Sequence, residues 1–378
     1  MYNRKKLKSL NLILTGLCLA LLAGCNTLAG KKDDTGVVIA RRAQVRSSVA
    51  VVAADLLEVN RGDVLDILDS SAAENGETWY HVRAHDEAAT EGWIEARNVM
   101  QQGVLDQARK LAEEDKDIPA QATGQLRAST NLRLSPERTG TDNIMMKLDS
   151  GSSFEIVGWK RVPAPKSAET TFESDDAPKP GSVQQNSGRK RKGPDEPKEP
   201  EEVNELWYKV RLQPSISPAP AGWIYGKQVE LTVPSDIIFY RTGREFVAWQ
   251  RLDEESENKS SETKDKDAAK EAKPGSWVIL EKSSSNEPRK LDEPDFDRIY
   301  VLGYDKYNQE HYTAYRSPDL KGFLPLRVQG KGDSKSFTVR IMGDDNEAKD
   351  AQYTVYRDDR GNLKVAAPGD AQKGKKKK

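Results

Sequence analysis

Cysteine and histidine are scarce in this chain: 378 residues contain two cysteines and three histidines. Cys18 lies within an apolar stretch near the N-terminus and Cys25 lies at its end, so everything beyond residue 25 has no thiol. Without disulfides, that part of the chain must be held by packing alone. A cysteine nucleophile needs a free thiol beside a histidine, so thiol catalysis has no candidate there. No phosphate-binding glycine loop, dinucleotide fingerprint or glycine-serine-glycine elbow appears, and His311 therefore gains no serine-triad context. The sequence is expected not to be an enzyme and to need no cofactor. Long apolar runs are also missing. The stretch from Leu10 to Ala23 is too short to span a bilayer comfortably. A net charge of one sign is lacking too: 59 basic and 60 acidic residues give a formal −1. That balance excludes the basic footprint of a nucleic-acid binder.

What is present begins with the leader. Arg4, Lys5, Lys6 and Lys8 precede the apolar stretch, which ends in Leu22, Ala23, Gly24 and Cys25. Basic head, apolar core, small residues and cysteine in this order read as a signal peptide over 1–24. The last four residues resemble the lipobox of bacterial lipoproteins. That resemblance implies cleavage before Cys25 and a diacylglyceryl group on its thiol, making membrane lipid the first partner. The alternative is an ordinary secretory signal with an incidental cysteine. Two or three acyl chains would hold the chain on a membrane, at about 0.8 kcal/mol per buried methylene. Asn26 is not the aspartate that retains such proteins at the inner membrane of enteric bacteria. The resemblance therefore implies the outer membrane, facing the periplasm, if the organism has one. Residues 25–35 form the tether.

An internal repeat is the next signal. "WYHVR" at 79–83 returns as "WYKVR" at 207–211, and "GWI" at 92–94 returns at 222–224. "AQVRSS" at 43–48 aligns with "TNLRLS" at 130–135, and "RGDVLDIL" at 61–68 with "SGSSFEIV" at 150–157. Four blocks in one order mark a duplicated module. Each block has the two-residue period of a strand. Gly62 and Gly151 precede strands where a turn needs unusual backbone angles, and Gly92 and Gly222 let neighbouring strands approach closely. These blocks resemble the bacterial SH3-like family, most closely in "NLRLSP", "GSSFEIV", "LWYKV" and "GWI" of the second copy. The first copy departs from the pattern in "QVRSSV". The resemblance implies two small five- or six-stranded barrels, at 36–100 and 122–231.

The early blocks of the two copies are offset by 89 positions and the late blocks by 128, so the second copy carries an insert of about 39 residues. The insert lies within 161–205, is rich in proline, serine and charge, and is expected to be disordered. A helical linker is expected over 101–121, where Leu105, Ala108 and Leu111 share helical spacing. Residues 232–367 carry strand-like runs, "DIIFYRTG", "REFVAWQ", "SWVILEK", "DRIYVLGY", "EHYTAYRS", "GFLPLRV", "SFTVRIM" and "AQYTVYR". "YDKYNQ" turns a hairpin between Tyr304 and His311. An antiparallel sandwich or barrel follows, with a disordered loop at 252–275 and a basic tail at 368–378. The fold class is all-β.

Trp79 and Trp207 fall on the opposite strand face from Tyr80, Val82, Tyr208 and Val210. Beside Arg83, Lys209 and Arg211 they would form an aromatic, cationic groove for glycan rings or peptide stems, unless loops cover them. Trp93 and Trp223, next to the strand glycines, are read as core. His81 and His85 have zinc-like spacing, but four residues of strand span about 13 Å, too far for one ion, so no metal site is expected. The basic clusters at 189–192 and 373–378 are either solvated or in contact with anionic surfaces. The leading expectation is an envelope lipoprotein acting as a non-catalytic binding or scaffold protein, contacting peptidoglycan or an envelope protein. The alternatives are a structural subunit of an envelope assembly and a carrier of a small apolar ligand in the C-terminal domain.

Overall fold

The computed structural model describes residues 34–165, 204–253, 274–284, 290–331 and 334–369. The leader with Cys25, most of the tether, and nearly all of the insert, the 252–275 loop and the basic tail lie outside the described residues. The chain divides into two compact units, Met1–Gly103 and Val104–Lys378.

The first unit is one antiparallel sheet of seven strands: β1 (Asp34–Val38), β2 (Arg42–Arg46), β3 (Asp55–Asn60), β4 (Val64–Ala72), β5 (Thr78–Ala84), β6 (Glu91–Glu95) and β7 (Val99–Gln101). Their spatial order is β3-β2-β6-β5-β4-β1-β7. Val59 and Val99 come from the two ends of that order, yet both join Val45, Leu65, Val82 and Ile94 in one core. The sheet therefore wraps around its inner face. It has seven strands rather than five or six because the two ends of the module pair with each other, Gly36 opposite Gln101.

The second unit opens with α1 (Gln102–Glu114), which begins at the junction and buries Leu105 and Ala108. The duplicate follows as β8 (Ala122–Leu126), β9 (Thr130–Arg133), β10 (Ile144–Leu148), β11 (Ser153–Pro163), β12 (Asn204–Arg211), β13 (Ala221–Tyr225) and β14 (Val229–Leu231). Its order is that of the first sheet with every strand number raised by seven. The copies agree in detail. Leu68 and Val157, 89 positions apart, are each the extra residue where pairing with β5 or β12 slips. Gly62 and Gly151 both take positive φ, +96° and +81°, which a side chain would strain. A Cβ on Gly92 would sit 2.6 Å from the Arg46 carbonyl oxygen, and one on Gly222 2.5 Å from Met145. Pro163 pairs with Asn204, so the insert leaves and returns at the tip of the β11–β12 hairpin. In the first copy the same tip is the short turn Ala73–Glu77.

Eight further strands form two four-stranded antiparallel meanders. One holds β15 (Arg244–Arg251), β16 (Trp277–Ser283), β17 (Arg298–Asp305) and β18 (Glu310–Arg316). The other holds β19 (Gly322–Lys331), β20 (Ser334–Met342), β21 (Ala348–Arg357) and β22 (Leu363–Ala366). β15 lies beside β19 and β18 beside β22. The two sheets share one core that includes Val278, Leu280, Phe296, Val301, Phe337 and Tyr353, which makes a sandwich. The hairpin at "YDKYNQ" forms as expected, with Tyr304 opposite His311 and Asp305 Oδ1 accepting from the Tyr307 and Asn308 amides.

"DIIFYRTG" is not a strand. The Ile237 and Ile238 amides both bond back to the Pro234 carbonyl, and Ile238–Tyr240 is a short 3-10 turn. Only Ile237 is buried while Phe239 is exposed, so two-residue alternation is absent. The strand β22 went unanticipated because its four residues, "LKVA", are too few to show a two-residue period.

Candidate functional site

The "WYxVR" strands β5 and β12 alternate as the pattern requires, with Val82 and Val210 fully buried on the inner face. Trp79 and Trp207 do point the other way, but they are not exposed. Trp79 is 5% accessible and Trp207 is 0%. The expectation of an open tryptophan groove is thus corrected: loops and neighbouring strands cover both rings. The Trp207 ring packs 5.5 Å from Tyr225, its cross-strand partner, and the Arg138 guanidinium lies 4.8 Å over the Tyr225 ring. The Arg46 guanidinium is 6.0 Å from Trp79. Neither indole N–H has a hydrogen-bond partner among the described residues.

Trp93 and Trp223 are corrected in the opposite sense. Each follows a glycine that occupies the inward position, so alternation turns the tryptophan outward, where it is only half-buried. Trp93 sits opposite His81 in the pairing, and the two rings are 5.0 Å apart. His85 bonds Asp66 through Nε2 at 3.0 Å.

The three cations proposed for the groove have separate partners. Arg83 pairs with Glu91 at 2.8 Å. Lys209 is buried rather than surface-exposed, and holds Glu114 at 2.8 Å and Asp115 at 2.5 Å, at the end of α1. Arg211 donates to the Asp115 and Ile118 carbonyls at 3.0 and 3.1 Å and to Glu155 at 3.1 Å. In the second copy, then, Lys209 and Arg211 grip the chain's own linker. Burial opposes the charge on Lys209, but the hydrogen bonds and attraction of Asp115 and Glu114 outweigh it and raise its pKa above the ordinary lysine value.

The open concave surface of the second copy lies elsewhere. A groove of about 530 Å³ runs between the loop after β9 and the far end of β11. Pro136, Val162, Pro163 and Pro165 give it apolar walls, and Glu137 and Lys160 bring opposite charges. One wall is braced by Arg138, which pairs with both carboxylate oxygens of the buried Glu205, Nε to Oε2 at 3.1 Å. Sequence pattern pointed to none of these residues. For Lys160, Val162, Pro163, Pro165 and Glu205 the available signal was position, at or just inside the ends of the insert; Glu137 and Arg138 are brought to them by the fold.

Gln121 was also missed. It is fully buried, its amide donates to Ile156 of β11 at 2.7 Å, and its carbonyl accepts from Trp249 of β15 at 2.8 Å. Leu324–Leu326 bow out of the β19–β20 pairing, and the Gln121 side chain takes up the freed Leu326 groups, accepting at 2.6 Å and donating at 3.0 Å. Gln250 adds a second bond to the Leu326 carbonyl at 2.8 Å and also donates to the Ala120 carbonyl, just before β8, at 3.3 Å. Asp295 accepts from Trp159 Nε1 at 2.6 Å and from the Leu324 amide at 3.0 Å. These bonds join the second copy to the sandwich.

His311 belongs to a packed cluster. Its Nε2 lies 2.8 Å from the Gly275 carbonyl and 3.8 Å from Asp236, and Tyr240 and Tyr304 flank the ring at 5.4 and 5.0 Å. Asp236 also accepts from Trp277 Nε1 at 2.8 Å.

The fold and these sites define an all-β protein, a duplicated antiparallel module followed by a β-sandwich. No family model matches the chain, and no curated protein matches it. Among solved structures, the chain is similar to NlpC2 from Trichomonas vaginalis, with 9% identity, 89% of this chain and 93% of that one covered, and a TM-score of 0.15. A likeness that slight carries no argument about activity.

Proposed function

We propose that this chain is a bacterial envelope lipoprotein, held to the membrane by acylated Cys25, whose two SH3-like modules bind without catalysing a reaction. The partner is peptidoglycan, contacted through its peptide stems. The observation that carries the reading is the groove of the second copy. Its proline and valine walls suit the aliphatic stem of a short peptide, and Lys160 and Glu137 can pair with a free carboxylate and a free amine.

The test is retention of the acyl-free chain, from Asn26 onward, on purified sacculi. Retention that falls at least fivefold in Lys160→Glu and in Val162→Asp supports the groove. A folded chain that is not retained at all overturns wall binding. A second reading, a structural subunit of an envelope assembly, is favoured by Lys209 and Arg211, which engage the chain's own linker rather than a free surface. Crosslinking in intact cells that captures one protein neighbour, with no retention on sacculi, supports that reading. The carrier alternative has less behind it. The space between the sandwich sheets is filled by Phe296, Phe337, Tyr353 and their neighbours.

A further inference from the structure

The loop that walls the groove in the second copy has a different chemistry in the first. There, between β2 and β3, residues 48–54 read "SVAVVAA" where the second copy reads "SPERTGTDN" over 135–143. Val51 and Val52 are 92% and 94% accessible, the two most exposed valines among the described residues of either copy. Leu56, just beyond, is 47% accessible. This tip is a built projection. The Ser47 amide donates to the Ala54 carbonyl at 2.9 Å, the Ala53 amide to the Ala50 carbonyl at 3.0 Å, and the Ala54 amide to Ser47 Oγ at 3.1 Å. Arg46 reaches along the loop and donates to the Val51 and Ala53 carbonyls at 2.9 and 3.0 Å, while pairing with Asp55 at 3.3 Å. The charges nearest the tip are thus matched to each other, the carbonyls at its neck are occupied, and the valine side chains project into solvent.

A contiguous apolar projection on a polar domain marks a surface that leaves water in use. We propose that this tip inserts into the lipid bilayer as a second membrane contact and sets the orientation of the first module. The occupant follows from the length of chain before β1. Only eight residues, Asn26 to Asp33, separate Cys25 from Asp34. Fully extended they reach roughly 26–29 Å, about the size of the module itself. A module held so close meets the bilayer continually, so a weak apolar contact acts at high effective concentration. The proposal rests on the anchor reading above.

Its test keeps the two separable. The chain from Asn26 onward, with an N-terminal hexahistidine, is held on vesicles of phosphatidylethanolamine and phosphatidylglycerol doped with a nickel-chelating lipid. This tether does not depend on acylation. Both native cysteines are absent, so Val51→Cys gives one site for an environment-sensitive dye, and Thr141→Cys places the same dye on the matching loop of the second copy. The expected result is a blue-shifted emission at position 51, at least twofold brighter on vesicles and quenched by spin-labelled acyl chains, with a water-like signal at position 141. A water-like signal at position 51 on vesicle-bound chain overturns the proposal, as does an equal response at both positions. Mass spectrometry of the N-terminal peptide from cells tests acylation of Cys25 independently.

Discussion

The indole N–H groups of Trp79 and Trp207 meet no acceptor among the described residues, so these side chains act through packing rather than polar contacts. Replacing Trp207 with phenylalanine removes no hydrogen bond and leaves a modest gap, whereas alanine opens a full cavity. Trp207→Phe is expected to cost about 1–2 kcal/mol and Trp207→Ala about 3–5 kcal/mol in urea unfolding. Near-equal losses would show that the indole N–H is bonded after all. Gly92 is constrained differently. An added methyl would meet a backbone oxygen at 2.6 Å and Val45 at 2.7 Å, and the oxygen cannot rotate away. Gly92→Ala should cost about 1–3 kcal/mol, the range for overpacking, read from the melting of the first unit.

At the scale of elements, the linker grip and the Gln121 clasp are the sensitive points. Removing one partner of a buried ion pair leaves the other unpaired, so Lys209→Met should destabilise the second unit by about 3 kcal/mol. The sign of its pH dependence follows from the raised pKa of Lys209. Its stabilising contribution is complete below the unfolded lysine value of about 10.4 and is lost as pH rises through the higher folded value. The stability gap between the wild-type chain and Lys209→Met should therefore narrow as the pH rises above the unfolded lysine value of about 10.4. A gap unchanged across that rise would rule out a charged clamp. Gln121→Ala leaves the Leu326 amide without its acceptor and weakens the hold on the Leu326 carbonyl. A loss of about 1–3 kcal/mol is expected, with faster amide exchange concentrated at Leu326 and Trp249.

For the whole molecule, the division after Gly103 predicts two heat-unfolding transitions in calorimetry. Gly92→Ala should lower one and leave the other in place, and Gln121→Ala should do the reverse. The second copy and the sandwich should melt together, because Gln121, Gln250 and Asp295 bond across them, Gln250 through the Ala120 carbonyl. A third separate transition would show that these bonds do not couple them. The duplicated module has two identical strand orders and two different solutions for the same loop, a groove wall in one and an apolar tip in the other.

Apart from the 3-10 turn at Ile238–Tyr240 and short strands such as β22, the sequence by itself determined the strands, the duplication, the site of the insert and the helix before the second copy. All of these are written in local period, in turn residues such as Gly62 and Gly151, and in matched spacing. Alternation also set Trp79 and Trp207 on the face opposite Val82 and Val210, whereas the outward turn of Trp93 and Trp223 emerged only in the structure, where Gly92 and Gly222 take the inward positions. Tertiary structure alone decided which outward faces stay wet. Strand alternation says only that Trp207 and Val210 point in opposite directions, while burial of Trp207 depends on chain brought from a distance in sequence, Arg138 and Tyr225 among it. The Gln121 clasp was invisible for the same reason. A glutamine in a linker carries no local signal, and its role arises only when a bowed segment of β19, some two hundred residues away, presents two unpaired backbone groups to it.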